Sequence, residues 1–376
     1  MILKKLAQNL DKIFNKALAL SWDKVGLQIG NLDKNIKKVL ITLDVNNNVV
    51  DEAVNLKTDL ILSHHPLIFD PINTVVTKDY LQRKILNLIE NKIAVYAAHT
   101  NYDIMPDGLN EYIVKKLDLI NISIIEPQYE QWYKFVVFVP KEEEKKIRNV
   151  ICQEGGGKWK NYSCCTFNTE GTGTFIPLKG AKPYIGKTGN TSYVNEVRIE
   201  CIVSENVLEN VVESTIAAHP YEEVAYDIYK IENKFADAGI GRSGELKSVK
   251  YFVEFLEVIK GKMDIRNFRW LSESGVDLKE KKVKKIAVVN GSANSLTPKL
   301  AALDCDLLIL GEIGYHNALS LAESGKIVIE IGHGCIEKWA ICDMYDKLKK
   351  FFQIKEVKME IVKSKAGYAA WRYYID

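Results

Sequence analysis

Histidine is scarce in this chain, with six residues in 376. Long apolar runs are missing. No stretch approaches the ~20 consecutive apolar residues that a membrane-spanning helix needs, which excludes a helical membrane protein. Cysteine is sparse and irregular: seven residues, an odd number, with no Cys-x-x-Cys pair. Adjacent Cys164 and Cys165 are poorly spaced for a zinc knuckle. This usage excludes a disulfide scaffold and predicts free, mostly buried thiols in a reducing cytoplasm. An excess of charge of either sign is also absent. The 51 basic and 49 acidic side chains leave +2, which gives no general drive towards nucleic acid or anionic membranes.

What is present is ordinary for a globular protein: 47% hydrophobic and 27% charged residues, with length for two or three domains. Near the N-terminus, Leu3, Leu6, Leu10, Ile13 and Phe14 recur at helical spacing. Lysines and Asp11 interrupt them, so the segment predicts an amphipathic helix rather than a signal peptide.

Patterning divides the chain into three. Over residues 37–103, buried-strand runs (KKVLITLD, DLILSHH, KIAVYAAH) alternate with helical segments (VVDEAVNLK, LQRKILNLIENK). Over 282–337 the scheme returns as KKIAVVNGS, LTPKLAALD, DLLILGE, HNALSLAESG and KIVIEIGH. Each is βαβαβ, the mark of a parallel sheet with covering helices. The two stretches align in spacing. Val39 to Asp59 and Ile286 to Asp306 are each 20 positions; Lys92 to His99 and Lys326 to His333 are each seven. An acid follows each histidine by four, Asp103 and Glu337. Between them the order is β-α-β-β-α-β, which predicts a ferredoxin-like α+β module. The reading is therefore an α/β protein of two related halves forming one unit, residues 1–128 and 233–376, interrupted by an inserted domain at 129–232.

Ligands of parallel α/β sheets bind at the carboxyl ends of the strands. Four strands here end in His64-His65, in His99 followed by Asp103, in Glu312 followed by His316, and in His333 followed by Glu337. Five of the six histidines thus fall at strand ends. One histidine at a strand end is more often a hydrogen-bonding group, but five with matched acids point to a metal site. Imidazole and carboxylate without thiolate suit Zn, Mn or Fe. At the strand end, where the chain turns before Pro66, His64 and His65 can splay towards two metals, and His333 and Glu337 at i and i+4 share a helix face. Five or six such ligands, with carboxylates able to bridge, suit two ions.

Other segments carry weaker signals. In Ser21–Gly30, Trp22, Asp23 and Gln28 are candidate site-lining residues, although Trp22 and Leu27 are expected in the core. The GGG run at 155–157 reads as a loop, and NGSANS opens a helix without a dinucleotide fingerprint. His219 is expected to be structural, and the basic run at 279–285 to be a solvated face.

The motifs SWDKVGLQIG, LSHHPLIF, AAHTNYD, LGEIGYHNAL and IGHGCIEKWA resemble, in order, those of the NIF-three-like dinuclear-metal proteins, often labelled GTP cyclohydrolase I type 2 homologues. KFVVFVP, KNYSCCTF, GTGTF and HPYEEVAYD resemble the CutA/PII-like module of the longer bacterial members. The resemblance implies that His64, His65, Asp103, His333 and Glu337 hold two divalent metal ions per subunit. It leaves His99, Glu312 and His316 as residues that support the ligands or touch substrate, and it assigns no catalytic residue. It also implies a homo-hexamer. Departures are Glu312 where aspartate is frequent, Asn290 where glycine is common, and Cys335 where small or aromatic residues are usual; none is a ligand position.

The expected function is a metal-dependent hydrolase acting on a nucleotide-like small molecule, of the ring-opening cyclohydrolase type that the resemblance implies. The alternative is a non-catalytic metal-binding or regulatory protein, and the near-zero charge argues against a nucleic-acid partner.

Overall fold

The computed structural model describes residues 1–265 and 267–366. The last ten residues of the expected second half, 367–376, lie outside the described residues. The fold is mixed α/β with two sheets. Its strands are Gly26–Ile29 (β1), Lys38–Thr42 (β2), Leu60–Ser63 (β3), Ala94–Ala97 (β4), Ile120–Pro140 (β5), Thr166–Phe175 (β6), Ser192–Ser204 (β7), Tyr226–Tyr251 (β8), Arg269–Leu271 (β9), Lys282–Ser292 (β10), Leu307–Glu312 (β11), Ile327–Glu330 (β12) and Glu360–Lys363 (β13). The chain forms two compact units: Met1–Gln128 together with Asp237–Asp376, and Tyr129–Ala236.

In the first unit, one sheet has the order β1-β4-β3-β2-β13 and the other runs β8-β10-β11-β12-β9. Strands β2, β3 and β4 pair in parallel, as do β10, β11 and β12. Both faces of each sheet are covered, which is why these strands read as unbroken apolar runs. Side chains alternate between cores, as the two-residue period of a strand requires. Val39 and Ile41 enter one cluster together with Ile286 and Val288 from the second sheet. Leu40 turns to a second cluster beneath the helices Asn47–Asn55 and Tyr80–Glu90, and Ala287 and Val289 turn to a third. The N-terminal helix Leu3–Ile13 buries Leu3, Leu6 and Leu10 in the shared cluster, with Phe14 just beyond its end.

The two sheets repeat a local device. Asp59 opens β3 by accepting the backbone N–H groups of Lys37 (2.8 Å) and Lys38 (3.1 Å). Asp306 opens β11 by accepting those of Lys284 and Lys285, both at 2.8 Å. Each carboxylate ties two strand starts together through charge-assisted hydrogen bonds. An antiparallel edge strand also flanks each sheet, β1 on β4 and β9 on β12.

In the second unit, β5 and β6 both pair antiparallel with β7. The helices Glu144–Gln153 and Glu205–Ala218 bury Ile147, Ile151 and Val211 in a core with Phe135, Val137 and Ile199. His219 is buried and structural: Nε2 meets the Phe138 carbonyl oxygen at 3.1 Å, and Nδ1 accepts the Tyr221 N–H at 3.1 Å. One expectation fails here. Cys152, at the end of the first helix, and Cys164 form a disulfide, so the cysteines are not all free thiols. Turn geometry in the intervening loop brings the two Cα atoms to 5.1 Å, a proximity that spacing along the chain cannot reveal.

Candidate metal centre

The site lies in the first unit, where the carboxyl ends of β3, β4, β10, β11 and β12 meet. His64 and His65 follow β3 directly, and continued ladder bonds to Thr42 and Leu43 carbonyls hold their backbone (3.1 and 2.9 Å). Consecutive side chains diverge, and the two imidazoles meet different partners. Asp103 comes from the short helix Thr100–Ile104, and His333 and Glu337 from the helix His333–Glu337. Gly332, at φ +96°, makes the turn that aims this helix, a conformation open to glycine at little cost.

Glu337 is the hub. Its side chain is 2% exposed, and its carboxylate meets His65 Nε2 at 3.0 Å and His333 Nε2 at 3.1 Å through Oε2. Through Oε1 it faces His64 Nε2 at 3.9 Å. Asp103 Oδ1 lies 3.5 Å from the same nitrogen. His64 is wholly buried, and its Nδ1–H donates to the Ala98 carbonyl at 2.9 Å. In the neutral ring that bond leaves Nε2 as the buried acceptor, without a hydrogen-bond partner among the described residues. A buried nitrogen of this kind, aimed at two carboxylates, fits a divalent cation.

Two potential ligand groups share Glu337: His64, Asp103 and Glu337, and His65, His333 and Glu337. A third brings His99 against His64 and His65. The donor set is nitrogen and carboxylate oxygen only, suited to Zn, Mn or Fe.

Surrounding residues orient these groups. Asp44, just past the end of β2, accepts from His65 Nδ1 at 2.8 Å. Glu312 accepts from His333 Nδ1 at 3.1 Å. Asn290 donates to Asp103 Oδ1 at 2.7 Å and lies 3.4 Å from Glu337 Oε1. Asp23 accepts from His99 Nδ1 at 2.9 Å and from the Thr100 N–H and hydroxyl. Burial alone would raise Asp23, but the His99 and Thr100 bonds outweigh it and hold the carboxyl at about 2. Burial likewise opposes the charge on His65, yet Asp44 and Glu337 push its pKa up to about 10. His333 is raised to about 9, chiefly by its bond to Glu337. Burial would raise Glu337, but its bonds to His333 and His65 outweigh it and hold the carboxyl well below the carboxylate range. Asp103 is raised, chiefly by burial, with the neighbouring Glu337 carboxylate adding to it.

Of the residues singled out from sequence, His64, His65, His99, Asp103, His333 and Glu337 come together, with Glu312 touching the rim. His316 does not join them: it is exposed, with its ring 5.3 Å from that of Tyr315. Trp22, expected in the core, is 52% exposed, with its ring 6.2 Å from that of His99. Sequence reading missed Asp44, although it too follows a parallel strand, and underweighted Asn290, whose contacts come from another element.

Comparison with known proteins is decisive on ancestry. A family profile described as Duf34/NIF3 (NGG1p interacting factor 3) matches residues 1–367. The chain belongs to the Duf34/NIF3 family. Among curated members, the GTP cyclohydrolase 1 type 2 homolog of Bacillus subtilis (strain 168) is 38% identical over 331 residues, covering 88% of this chain and 87% of the relative. That of Halalkalibacterium halodurans is 37% identical over 350 residues, covering 93% and 92%. A crystal structure of a Bacillus cereus protein related to NIF3 matches with a TM-score of 0.88 at 34% identity, covering 100% of this chain and 99% of that one. This NIF3 family chain thus shares its fold with that solved relative. No helix among the described residues is long and apolar enough to cross a membrane.

Proposed function

We propose that this protein holds two divalent metal ions through His64, His65, Asp103, His333 and Glu337 and acts as a metal-dependent hydrolase on a nucleotide-like small molecule. One observation carries the metal reading: two three-residue groups of potential ligands share the buried Glu337 carboxylate, and His64 Nε2, with no hydrogen-bond partner among the described residues, faces it. A carboxylate common to both groups would help to hold both ions. Two such ions, when bound, bring the pKa of water down towards ~7 and so supply hydroxide at neutral pH.

The chain's own residues do the rest. Asp44 and Glu312 orient His65 and His333, and Asn290 orients Asp103. Asp23 takes Nδ1 of His99, leaving Nε2 of a ring packed against His64 and His65 to hold or pass a proton. The name borne by the relatives, GTP cyclohydrolase 1 type 2 homolog, supports a ring-opening hydrolysis in which one water adds to the imidazole carbon of a purine and opens the ring to a formamide, and a second water cleaves that formamide to release formate. On this reading the subunits assemble as a homo-hexamer in the cytoplasm.

We also take residues 1–128 and 233–376 as related halves, which the matched Asp59 and Asp306 devices and edge strands support. Residues 129–232 are a ferredoxin-like insert of CutA/PII type, in keeping with the strand order β6-β7-β5-β8.

Metal analysis of purified protein, with anomalous scattering at the metal edges of a crystal, tests the reading. Two ions per chain touching these five residues are expected. Turnover of nucleotides by the metal-loaded protein, abolished by His64→Ala and by His333→Ala, is expected for the hydrolase. Stoichiometric metal without turnover across a nucleotide panel would leave a metal-binding protein and discard the enzyme.

A further inference from the structure

The second unit contains a cavity of about 420 Å³ that the metal chemistry does not use. Phe175, Tyr184 and Tyr221 wall it, with ring centroids 6.4 Å apart for Phe175 and Tyr221 and 6.1 Å for Tyr184 and Tyr221. Its charge is of one sign. Glu196, Glu222 and Glu223 line it, and no lysine or arginine does among the described residues. The Tyr221 hydroxyl donates to Glu196 Oε1 at 2.8 Å, which locks one cage wall to the carboxylate. Glu222 Oε1 accepts the Lys182 N–H at 2.9 Å, fixing the loop that carries Tyr184. At Gly173 on β6 a Cβ would collide with Glu196 Oε2, so glycine there is what lets the carboxylate lie in this position. No ion pair engages Glu196 among the described residues, so a half-buried carboxylate stands beside aromatic faces without a cation. Aromatic faces and a carboxylate attract the same kind of guest, because both present negative potential to it.

We propose that this cavity binds a small organic ammonium ion, with the charged head against Glu196 and the aromatic faces and the carbon body on the apolar wall. Its volume lies within the range of small-molecule sites. None of its residues belongs to the metal centre, so the two readings fail separately.

Choline and its neutral isostere 3,3-dimethylbutan-1-ol, titrated into the full-length protein by calorimetry or ligand-observed NMR, test it. Saturable choline binding is expected, with the alcohol weaker by at least about tenfold. Glu196→Gln, which keeps the shape and the Tyr221 contact, should weaken choline by about the same factor. Tyr184→Ala, at a mostly exposed ring, should also weaken it and guards against a folding artefact at Glu196. Absence of saturable choline binding, equal binding of the alcohol, or unchanged affinity in both variants would overturn the proposal.

Discussion

Glu337 concentrates the chemistry of this molecule in one side chain. A buried carboxylate ringed by imidazoles is stable either when the rings carry protons or when cations replace those protons. Glu337→Gln keeps the volume and removes the charge common to both ligand groups. The variant should fold, as judged by far-UV circular dichroism, yet retain less than about a tenth of the wild-type metal after dialysis, measured by mass spectrometry of the metals. Asp59 offers a residue-scale test away from the site. Its burial would raise its pKa, but Lys34 and the Lys37 and Lys38 N–H groups lower it further than burial raises it. A carboxylate depressed in the folded state stabilises above its unfolded pKa of ~3.9, and that contribution disappears as pH falls through the folded value. Asp59→Ala should therefore cost about 1–3 kcal/mol at pH 7 in urea unfolding. The gap from wild type should close as the pH falls below ~4.

At the scale of elements, the site depends on how closely β10 and β11 approach. Gly291 has φ +64°, and a Cβ there would sit 3.1 Å from Glu337 Oε1. Gly311 on the neighbouring strand lies against the Gly291 backbone, where a side chain has no room. Gly291→Ala should strain the backbone and press on the Glu337 carboxylate. We expect a loss of about 1–3 kcal/mol of stability by thermal unfolding, together with weaker metal retention. Strand and helix periods made most elements of the first unit readable: the apolar runs of β2, β3, β4, β10, β11 and β12 lie where the sequence places them. Short edge strands did not stand out. Gly26–Ile29 and β13 have four residues each and β9 three, too few for a two-residue period to show. The single strand at the far edge of the first sheet, β13, comes from the end of the chain and pairs in parallel with β2. No local pattern announces a partner more than 300 residues away.

For the whole molecule, the proposed metal site ties ligand binding to stability. A ligand that binds only the native state stabilises it by mass action. If the five residues bind metal, chelation should lower the midpoint of thermal unfolding, and restoring Zn or Mn should recover it; Glu337→Gln should show no such shift in differential scanning calorimetry. An unchanged wild-type midpoint despite proven metal loss would separate the site from the fold. The sequence by itself determined the parallel strands and the gathering of five histidines at strand ends, because a two-residue period and ligand-rich strand termini are local properties. It also carried the family motifs that place the chain among NIF3 proteins. Only tertiary structure decided which strand ends converge, that Glu337 belongs to both potential ligand groups while His316 stays outside, and that Asp44, Asp23 and Asn290 bond to the residues gathered there. Those outcomes depend on the register between distant strands and on which side chains lose water together, and neither is encoded within any one segment.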